Sequence, residues 1–181
     1  MKILDKSYVL SHKGEIIKSI IDGAVFVYPT DTIYGLGVNA LLGKSVRKIR
    51  DIKRRETKPF SVIAPSRKWI EENCQINETV KEWLNKLPGP FTFFLNIQVS
   101  GCVSEEVNPI DDSLGVRMPK HWFTEIIEEA GVPFVTTSVN MSGHSYMKGI
   151  VEMDDSIKNS VDYIIYEGEK RGEVSEKVDL R

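Results

Sequence analysis

The most informative segment of the chain is AVFVYPTDTIYGLG, residues 24–37. Its first five residues are apolar or aromatic, a pattern typical of a buried β-strand. Pro29 ends this strand, because proline lacks the backbone N–H that a sheet needs. The hydroxyls of Thr30 and Thr32 follow at once, so the sequence predicts a strand whose end carries polar side chains. Loops at strand ends are common places for ligand-binding residues.

A strongly basic run comes directly after this segment. Residues 44–58 contain eight lysines and arginines against two acidic residues, a net charge of +6, while the whole chain carries −2. The remaining residues must therefore sum to −8. A local positive charge on an acidic background indicates a site for a polyanion, most simply the phosphates of a nucleotide. The pI near 6.0 argues against tight generic binding to RNA or DNA, although one basic groove is compatible with it.

Length and composition predict one domain. With 181 residues of which 41% are hydrophobic, the chain can bury one good-sized core. No window approaches the roughly 18 apolar residues that a membrane span requires. The charged N-terminus does not resemble a signal peptide, so we expect a cytoplasmic protein without membrane association. Cys74, Cys102 and the three histidines are scattered, which predicts buried or inert thiols and neither a zinc site nor a disulfide framework.

Strand-like and helix-like segments alternate along the chain. Helical periodicity is present over residues 13–22 and 44–54, in a helix that Asn77 caps, and in a helix that buries Trp122 through Ala130. In the helix over 44–54 we expect the apolar residues to face inward and the basic residues to lie on the other faces. Strands are predicted over 24–28, 60–64, 91–97, 114–118 and 133–137. The pattern predicts a layered α/β or mixed α+β domain.

Three polar elements follow or end predicted strands: residues 30–32, Arg117, and residues 138–140. Hydroxyls, an amide and guanidinium groups suit the recognition of phosphate, carboxylate and ribose. Each element also has a structural interpretation. The hydroxyls could serve turns, the basic helix face could simply be solvated, and Arg117 could form a structural ion pair. Those alternatives stay open from the residues alone.

Two familiar catalytic patterns do not fit. Residues 35–40 match G-x-G-x-x-A, but six residues separate them from the preceding strand, so a dinucleotide fingerprint is disfavoured. There is no P-loop motif, and no Ser/His/Asp or Cys/His arrangement stands out. The sequence therefore favours catalysis by positioning substrates with donors and cations rather than through a protein nucleophile.

Five motifs, in this order, resemble those of the YrdC-like family. They are YPTDTIYGLG (28–37), KRR with KP (53–55 and 58–59), PGPFTF (88–93), GVRMP (115–119) and TSVNMSG (137–143). The resemblance extends over about residues 10–181 as one domain, without the C-terminal extension domain of longer members. It implies a twisted mixed sheet flanked by helices, with a concave positive cavity.

The resemblance also implies an activity, that of the family's threonylcarbamoyl-AMP synthases. These form threonylcarbamoyl-AMP and pyrophosphate from L-threonine, bicarbonate and ATP with its Mg²⁺, for modification of adenosine 37 in tRNA. No protein-bound metal is implied. Threonine would contact Thr32, Arg117 and Ser138. ATP would contact Arg55, Lys58, Ser113, Asn140 and Ser175, with Lys53 and Arg55 as the catalytic cations at the phosphates. Implied partners are tRNA or double-stranded RNA and a downstream tRNA threonylcarbamoyl transferase.

Three features depart from the family pattern. Ile63 stands where many members have a histidine, the segment 53–59 is one residue shorter and lacks a proline, and the chain stops at Arg181. The family also includes paralogues without established synthase activity. A YrdC/YciO-type module that binds RNA or a nucleotide without chemistry is therefore the alternative hypothesis. The absence of aromatic residues between Lys44 and Lys58 disfavours an RNA-stacking surface.

Overall fold

The computed structural model describes residues 1–181. The strands are β1 (Lys2–Leu4), β2 (Phe26–Tyr28), β3 (Gly35–Gly37), β4 (Ser61–Ile63), β5 (Phe91–Asn96), β6 (Ser113–Arg117), β7 (Phe134–Ser138), β8 (Tyr163–Ile165) and β9 (Glu176–Asp179). The helices are α1 (Lys6–Ser11), α2 (Lys13–Ile21), α3 (Gly43–Lys53), α4 (Arg67–Asn73), α5 (Glu78–Leu84), α6 (Trp122–Ala130) and α7 (Asp155–Lys158), with a 3-10 turn at Ile150–Glu152. None of these helices has the length and hydrophobicity that a membrane crossing needs.

All nine strands form one mixed sheet in the order β1-β8-β2-β3-β7-β4-β6-β5-β9. The short strands β2, β3, β7 and β4 pair antiparallel in succession, while β4 pairs parallel with β6. This register places Gly35 beside Ser138 and Ser61 beside both Thr136 and Gly115. A row of small and hydroxyl-bearing residues therefore crosses the middle of the sheet.

Each face of the sheet packs on its own hydrophobic cluster. The larger cluster contains 28 buried residues and lies beneath α3, α4, α5 and α7. The smaller contains 13 and lies beneath α1, α2 and α6. Strand alternation divides the side chains between them: Val27 and Val62 join the larger cluster, whereas Phe26, Tyr28 and Ile63 join the smaller.

The smaller cluster stops short of one side of the sheet. None of its members comes from β5, β6 or β9. On those strands the larger cluster takes Phe93, Leu114 and Val116, so alternation turns Phe94 and Arg117 to the other face. A face without apolar cover leaves room for a cavity, and the candidate site lies there.

The glycines of β3 are required by close packing rather than by a phosphate-binding turn. A Cβ on Gly37 would lie 2.0 Å from the carbonyl oxygen of Val135, and one on Gly35 would lie 2.8 Å from the ring of Tyr28. Because Gly35–Gly37 is a strand paired on both sides, it cannot begin a helix as a dinucleotide fingerprint does. The structure therefore agrees with the sequence argument against that fingerprint.

Most predicted elements are present, with one correction to α3. The helix runs over Gly43–Lys53, close to the predicted 44–54, but its basic residues do not all lie on exposed faces. Arg50 is 6% exposed and Lys53 only 2%. The expectation failed because both cations find carbonyl oxygens inside the protein, and a buried cation with such partners is tolerated.

Candidate active site

A cavity of about 350 Å³ lies on the face of the sheet that the smaller cluster leaves uncovered. Its wall is formed by the loop after β2, the loop before β4, the ends of β6 and β7, and the residues around β9. The lining residues are Thr30, Thr32, Ile33, Tyr34, Gly35, Arg55, Lys58, Pro59, Phe60, Ser61, Thr92, Phe94, Arg117, Thr136, Thr137, Ser138, Val174, Ser175 and Lys177. The cavity thus brings together six of the residues proposed from sequence, namely Thr32, Arg55, Lys58, Arg117, Ser138 and Ser175.

Arg117 enters this cavity from the end of β6 and is held from several sides. Its Nη2 donates to Asp31 Oδ1 at 3.1 Å and to Thr32 Oγ1 at 3.3 Å, and its Nε donates to the carbonyl of Phe91 at 3.3 Å. Burial lowers the pKa of Arg117, while the negative charge of Asp31 opposes that shift. The side chain therefore combines both sequence hypotheses, since it lines the cavity and also forms an ion pair.

One nitrogen of Arg117 remains for a ligand. Nη1 has no hydrogen-bond partner in the protein, yet no fully enclosed side-chain nitrogen or oxygen lacks one. Solvent must therefore reach Nη1, although the residue as a whole is only 6% exposed. A charged N–H donor in a mostly buried setting is suited to bind a carboxylate.

The hydroxyl loop after β2 is ordered by its own side chains. Thr30 Oγ1 donates to the carbonyl of Ile33 at 2.7 Å and accepts the backbone N–H of Thr32 at 3.1 Å. The hydroxyls of Thr30 and Thr32 lie 3.0 Å apart. Both residues are at least nine-tenths buried, so this loop presents Thr32 in a fixed position beside Arg117.

Arg55 supplies a second cationic part of the wall. Its Nε donates to the carbonyl of Lys58 at 2.9 Å, its Nη2 donates to the carbonyl of Pro59, and its Nη1 lies 3.4 Å from Thr137 Oγ1. Burial, followed by repulsion from Arg50, lowers the pKa of Arg55 to about 10. It still carries its charge at neutral pH, and Lys58 beside it is exposed, so this part of the cavity suits phosphate oxygens.

Lys53 and Asn140 lie behind the cavity wall rather than in it. The Lys53 ammonium donates to the carbonyls of Ser138 and Asn140 at 2.6 and 2.8 Å, and to Asn140 Oδ1 at 3.0 Å. Ser138 Oγ donates to that same amide oxygen at 2.6 Å. Burial, then the charges of Arg55 and Lys58, lowers the pKa of Lys53 to about 7. In this arrangement Lys53 and Asn140 hold the end of β7 in place.

The two remaining sequence candidates lie in different places. Ser175 Oγ is 2.7 Å from Thr92 Oγ1 and lines the main cavity. Ser113 lines an adjoining cavity of about 270 Å³, whose wall shares Pro59, Phe94 and Lys177 with the main one. Ser113 is therefore near the site but not in the same compartment.

A strap formed by residues 166–175 closes one side of the site, and sequence reasoning identified only its last residue, Ser175. The hydroxyl of Tyr34 donates to the carbonyl of Gly168 at 2.7 Å, and the hydroxyl of Tyr146 donates to the carbonyl of Gly172 at 3.1 Å. A Cβ on Gly172 would lie 2.4 Å from the carbonyl oxygen of Thr32, so the strap crosses directly against the hydroxyl loop. Its glycines are the only sequence feature that hinted at this close approach.

Asp31 is the other functional residue that the sequence did not single out. Its second carboxylate oxygen accepts the backbone N–H of Lys120 at 2.9 Å, in addition to the pair with Arg117. An acidic residue between two threonines of a hydroxyl loop was the available clue. Ile63, by contrast, is fully buried in the smaller cluster and does not line the cavity.

Comparison with known proteins gives a consistent family. The model of the Sua5/YciO/YrdC family, described as "Telomere recombination", matches residues 18–180. A Methanocaldococcus jannaschii protein named "Putative threonylcarbamoyl-AMP synthase" is 37% identical over 153 residues, which cover 82% of this chain and 70% of that protein. The threonylcarbamoyl-AMP synthase of Bos taurus is 34% identical over 137 residues, covering 74% of this chain and 48% of its own.

A solved structure supports the same assignment. The crystal structure of P. abyssi Sua5 complexed with L-threonine superposes with a TM-score of 0.87 at 27% identity, and the match covers 99% of this chain and 54% of that one. The chain thus spans about half the length of the bovine and P. abyssi proteins. Its sequence motifs, its sheet and its relatives agree, and the chain belongs to the Sua5/YciO/YrdC family.

Proposed function

We propose that this protein is an L-threonylcarbamoyladenylate synthase, a nucleotidyltransferase that joins L-threonine, bicarbonate and ATP. The single observation that carries the proposal is the cavity that holds a free nitrogen of Arg117 together with the cations Arg55 and Lys58. Arg117 suits a carboxylate, and the pair Arg55 and Lys58 suits a polyphosphate. Relatives named threonylcarbamoyl-AMP synthase, and a similar structure complexed with L-threonine, support the same activity.

In this proposal threonine binds beside the hydroxyl loop. Its carboxylate pairs with Arg117 Nη1, and its polar atoms meet the hydroxyls of Thr32 and Ser138. Arg117 suits this role because Asp31 and the carbonyl of Phe91 already fix its guanidinium plane. A group that is already oriented loses little entropy when the ligand binds.

The phosphates of ATP bind at Arg55 and Lys58, with Ser175 in the same cavity, Ser113 in the adjoining one and Asn140 behind the wall. The threonine amine attacks the carbon of bicarbonate, and loss of water leaves a carbamate. A carbamate oxygen then attacks the α-phosphorus, the bond to the β-phosphate oxygen breaks, and pyrophosphate leaves. Arg55 and Lys58 stabilise the charge that develops on the departing pyrophosphate, as preorganised cations do in phosphoryl transfer. We propose that Lys53 supports this step through the backbone of Ser138 and Asn140 rather than by touching phosphate.

Mg²⁺ enters with ATP as part of the substrate. No carboxylate lines the cavity, so the donor set there does not resemble a protein site for Mg²⁺. The phosphate oxygens and water would hold the ion.

We propose that residues 10–181 form one domain that carries this activity in the cytoplasm. The product would pass to a tRNA threonylcarbamoyl transferase for modification of adenosine 37.

The RNA-binding alternative is not favoured by the way the basic run folds. Arg50 and Lys53 are buried, and Arg55 is bonded into the cavity wall. Two of the eight basic residues are therefore turned away from the surface, and a third is held in the cavity wall.

The direct test is to incubate the purified protein with MgATP, L-threonine and bicarbonate and to measure pyrophosphate. We expect release that depends on both threonine and bicarbonate. Arg67→Ala is a suitable control, because Arg67 forms an exposed pair with Glu71 on α4 and does not line the cavity. Release that continues without threonine would point to simple ATP hydrolysis and would contradict the proposal.

A further inference from the structure

Arg50 is a buried arginine that no part of the proposed reaction uses. It lies on α3 and is 6% exposed, and backbone carbonyls surround its guanidinium group. Its Nε donates to the carbonyl of Glu106 at 2.8 Å, and its Nη2 donates to that of Val107 at 3.4 Å. Its nearest carboxylate oxygen, on Glu106, is 3.8 Å away. The guanidinium is therefore held mainly by carbonyl dipoles.

The remaining hydrogen bonds of the Arg50 side chain go to the loop that carries the cations Arg55 and Lys58. Its Nη1 faces the carbonyls of Arg55 at 3.2 Å, Glu56 at 2.8 Å and Lys58 at 3.3 Å. One side chain thus gathers three carbonyls from four consecutive residues. Such convergence fixes the backbone path of this loop, residues 54–59.

Apart from the contacts of Arg50, the loop is held by the side chain of Arg55 and by the C-cap of α3. It lies outside any helix or strand, and Glu56, Thr57 and Lys58 are exposed. It begins at Arg54 with φ of +48°, the one non-glycine residue of the chain in the left-handed region. The N–H of Arg54 bonds to the carbonyls of Arg50 and Asp51, as the C-cap of α3, and these bonds hold only the start of the loop. Arg50 holds the carbonyls that follow, those of Arg55, Glu56 and Lys58.

Arg50 and Arg55 also share a ring. Their guanidinium carbons lie 4.7 and 4.6 Å from the centre of Phe60, which is almost fully buried. Arg55 in turn donates to the carbonyl of Lys58, so the position of its side chain depends on the backbone that Arg50 holds. A shift of that backbone would move both Arg55 and Lys58.

We propose that Arg50 is a positioning residue for the anion-binding loop 54–59, which it holds in the shape that presents Arg55 and Lys58 to a polyphosphate. The identification of that polyphosphate as ATP rests on the proposed function.

The test compares Arg50→Lys and Arg50→Gln with the wild type by calorimetric titration with MgATP and, separately, with L-threonine. Lysine keeps the charge but cannot reach carbonyls on both sides as a guanidinium does. We expect the Kd for MgATP to rise at least tenfold in both variants and the Kd for threonine to change less than twofold. Arg47→Gln is the matched control, because Arg47 also contacts Glu106 from α3 but is 70% exposed and does not touch the loop.

Hydrogen exchange supplies the second measurement. In folded Arg50→Lys, the hydrogen-bonded amides of Arg54 and Arg55 should exchange faster while those of β6 and β7 keep their wild-type protection. Unchanged MgATP affinity in Arg50→Lys would overturn the proposal, as would equal weakening of ATP and threonine. Failure of both variants to fold would also overturn it, since Arg50 would then serve the fold rather than the loop.

These results are separable from the proposed function. A wild type that binds MgATP but forms no threonine-dependent pyrophosphate would remove the synthase activity and leave the role of Arg50 standing if its variants bind MgATP weakly. A wild type that forms threonine-dependent pyrophosphate, with an Arg50→Lys variant of unchanged ATP affinity, would support the synthase activity and contradict the role of Arg50. A wild type that binds no MgATP would contradict both.

Discussion

Arg117 Nη2 donates to Asp31 Oδ1 at 3.1 Å, and the other carboxylate oxygen of Asp31 accepts the backbone N–H of Lys120 at 2.9 Å. One carboxylate therefore ties the loop after β2 to the residues that follow β6. The pair is almost buried, with side chains 8% and 11% exposed. It leaves Arg117 Nη1 for a ligand while the rest of the guanidinium is fixed.

Asp31→Asn should leave the buried Arg117 without its counter-charge. We expect a lower melting temperature in the absence of ligand, with a loss of about 1–3 kcal/mol in the free energy of unfolding. A threonine carboxylate at Nη1 would replace the missing charge, so saturating threonine should raise the melting temperature of the variant more than that of the wild type. Thermal melts with and without threonine check this. An equal or smaller rise in the variant would argue against a carboxylate at Arg117.

Arg117→Lys keeps a positive charge but loses the two guanidinium nitrogens, of which Nη2 bonds to Asp31 and Nη1 is free for a ligand. We expect the Kd for threonine to rise about tenfold, or about 1.4 kcal/mol, with the Kd for MgATP within twofold. Because the side chain is buried, the melting temperature should fall as well. Calorimetric titration with each ligand separates the two roles. A destabilised variant with normal threonine affinity would leave Arg117 with only its structural ion pair.

Arg55→Ala removes a cation from the phosphate part of the cavity. We expect kcat/KM for ATP to fall by roughly 100-fold, about 3 kcal/mol of transition-state stabilisation. The matched control is Lys44→Ala, since Lys44 belongs to the same basic run but is exposed on α3 and lines no part of the cavity. Small and equal effects at both positions would show that Arg55 does not bind phosphate.

Thr32→Val and Ser138→Ala each delete one hydroxyl from the part of the cavity proposed to bind threonine. Each deletion should weaken threonine binding by about 1 kcal/mol, or more where a partner is left buried, without unfolding the protein. Isothermal titration with threonine, together with circular dichroism, checks both points. Unchanged affinity in both variants would remove these hydroxyls from the threonine site.

Lys53 should make stability depend on pH. Its pKa is lowered from the usual 10.5 to about 7 by burial, then by Arg55 and Lys58, whereas the unfolded chain keeps the usual value. Between these two pH values the unfolded state binds more protons, so the contribution of Lys53 to the free energy of unfolding rises with pH, by at most about 1.4 kcal/mol per unit. Denaturant unfolding of the wild type and Lys53→Met from pH 6 to 10 should show a difference that grows in favour of the wild type. A difference independent of pH would mean that Lys53 keeps an ordinary pKa.

Local signals in the sequence explain why much of the fold could be predicted. The helix over 13–22 was recognisable from its isoleucine face and from Gly23, which the structure places at φ +86° after α2. Asn77 caps α5 as predicted, since its Oδ1 accepts the N–H of Val80 at 2.9 Å. The elements missed were mostly short, such as α1, β1 and β9, and three or four residues of strand carry too little pattern to be recognised.

The candidate site was only partly predictable for a different reason. Six proposed residues meet in one cavity, because strand ends and the loops after them were identified correctly. The sequence could not show that Arg50 and Lys53 turn inward, since a basic helix face looks the same whether water or carbonyls surround it. Asp31 and the strap over Thr32 depend on contacts between segments far apart in the chain, which no local pattern encodes.

We propose that a single cavity joins threonine and bicarbonate to the α-phosphate of ATP. The most direct test is to supply ¹³C-labelled bicarbonate with MgATP and L-threonine and to analyse the nucleotide products by mass spectrometry. We expect an adenylate that contains threonine and one ¹³C atom, formed together with pyrophosphate by the wild type and strongly reduced in Arg55→Ala. ATP that is bound but yields no labelled adenylate, with a known synthase active under the same conditions, would contradict the proposal.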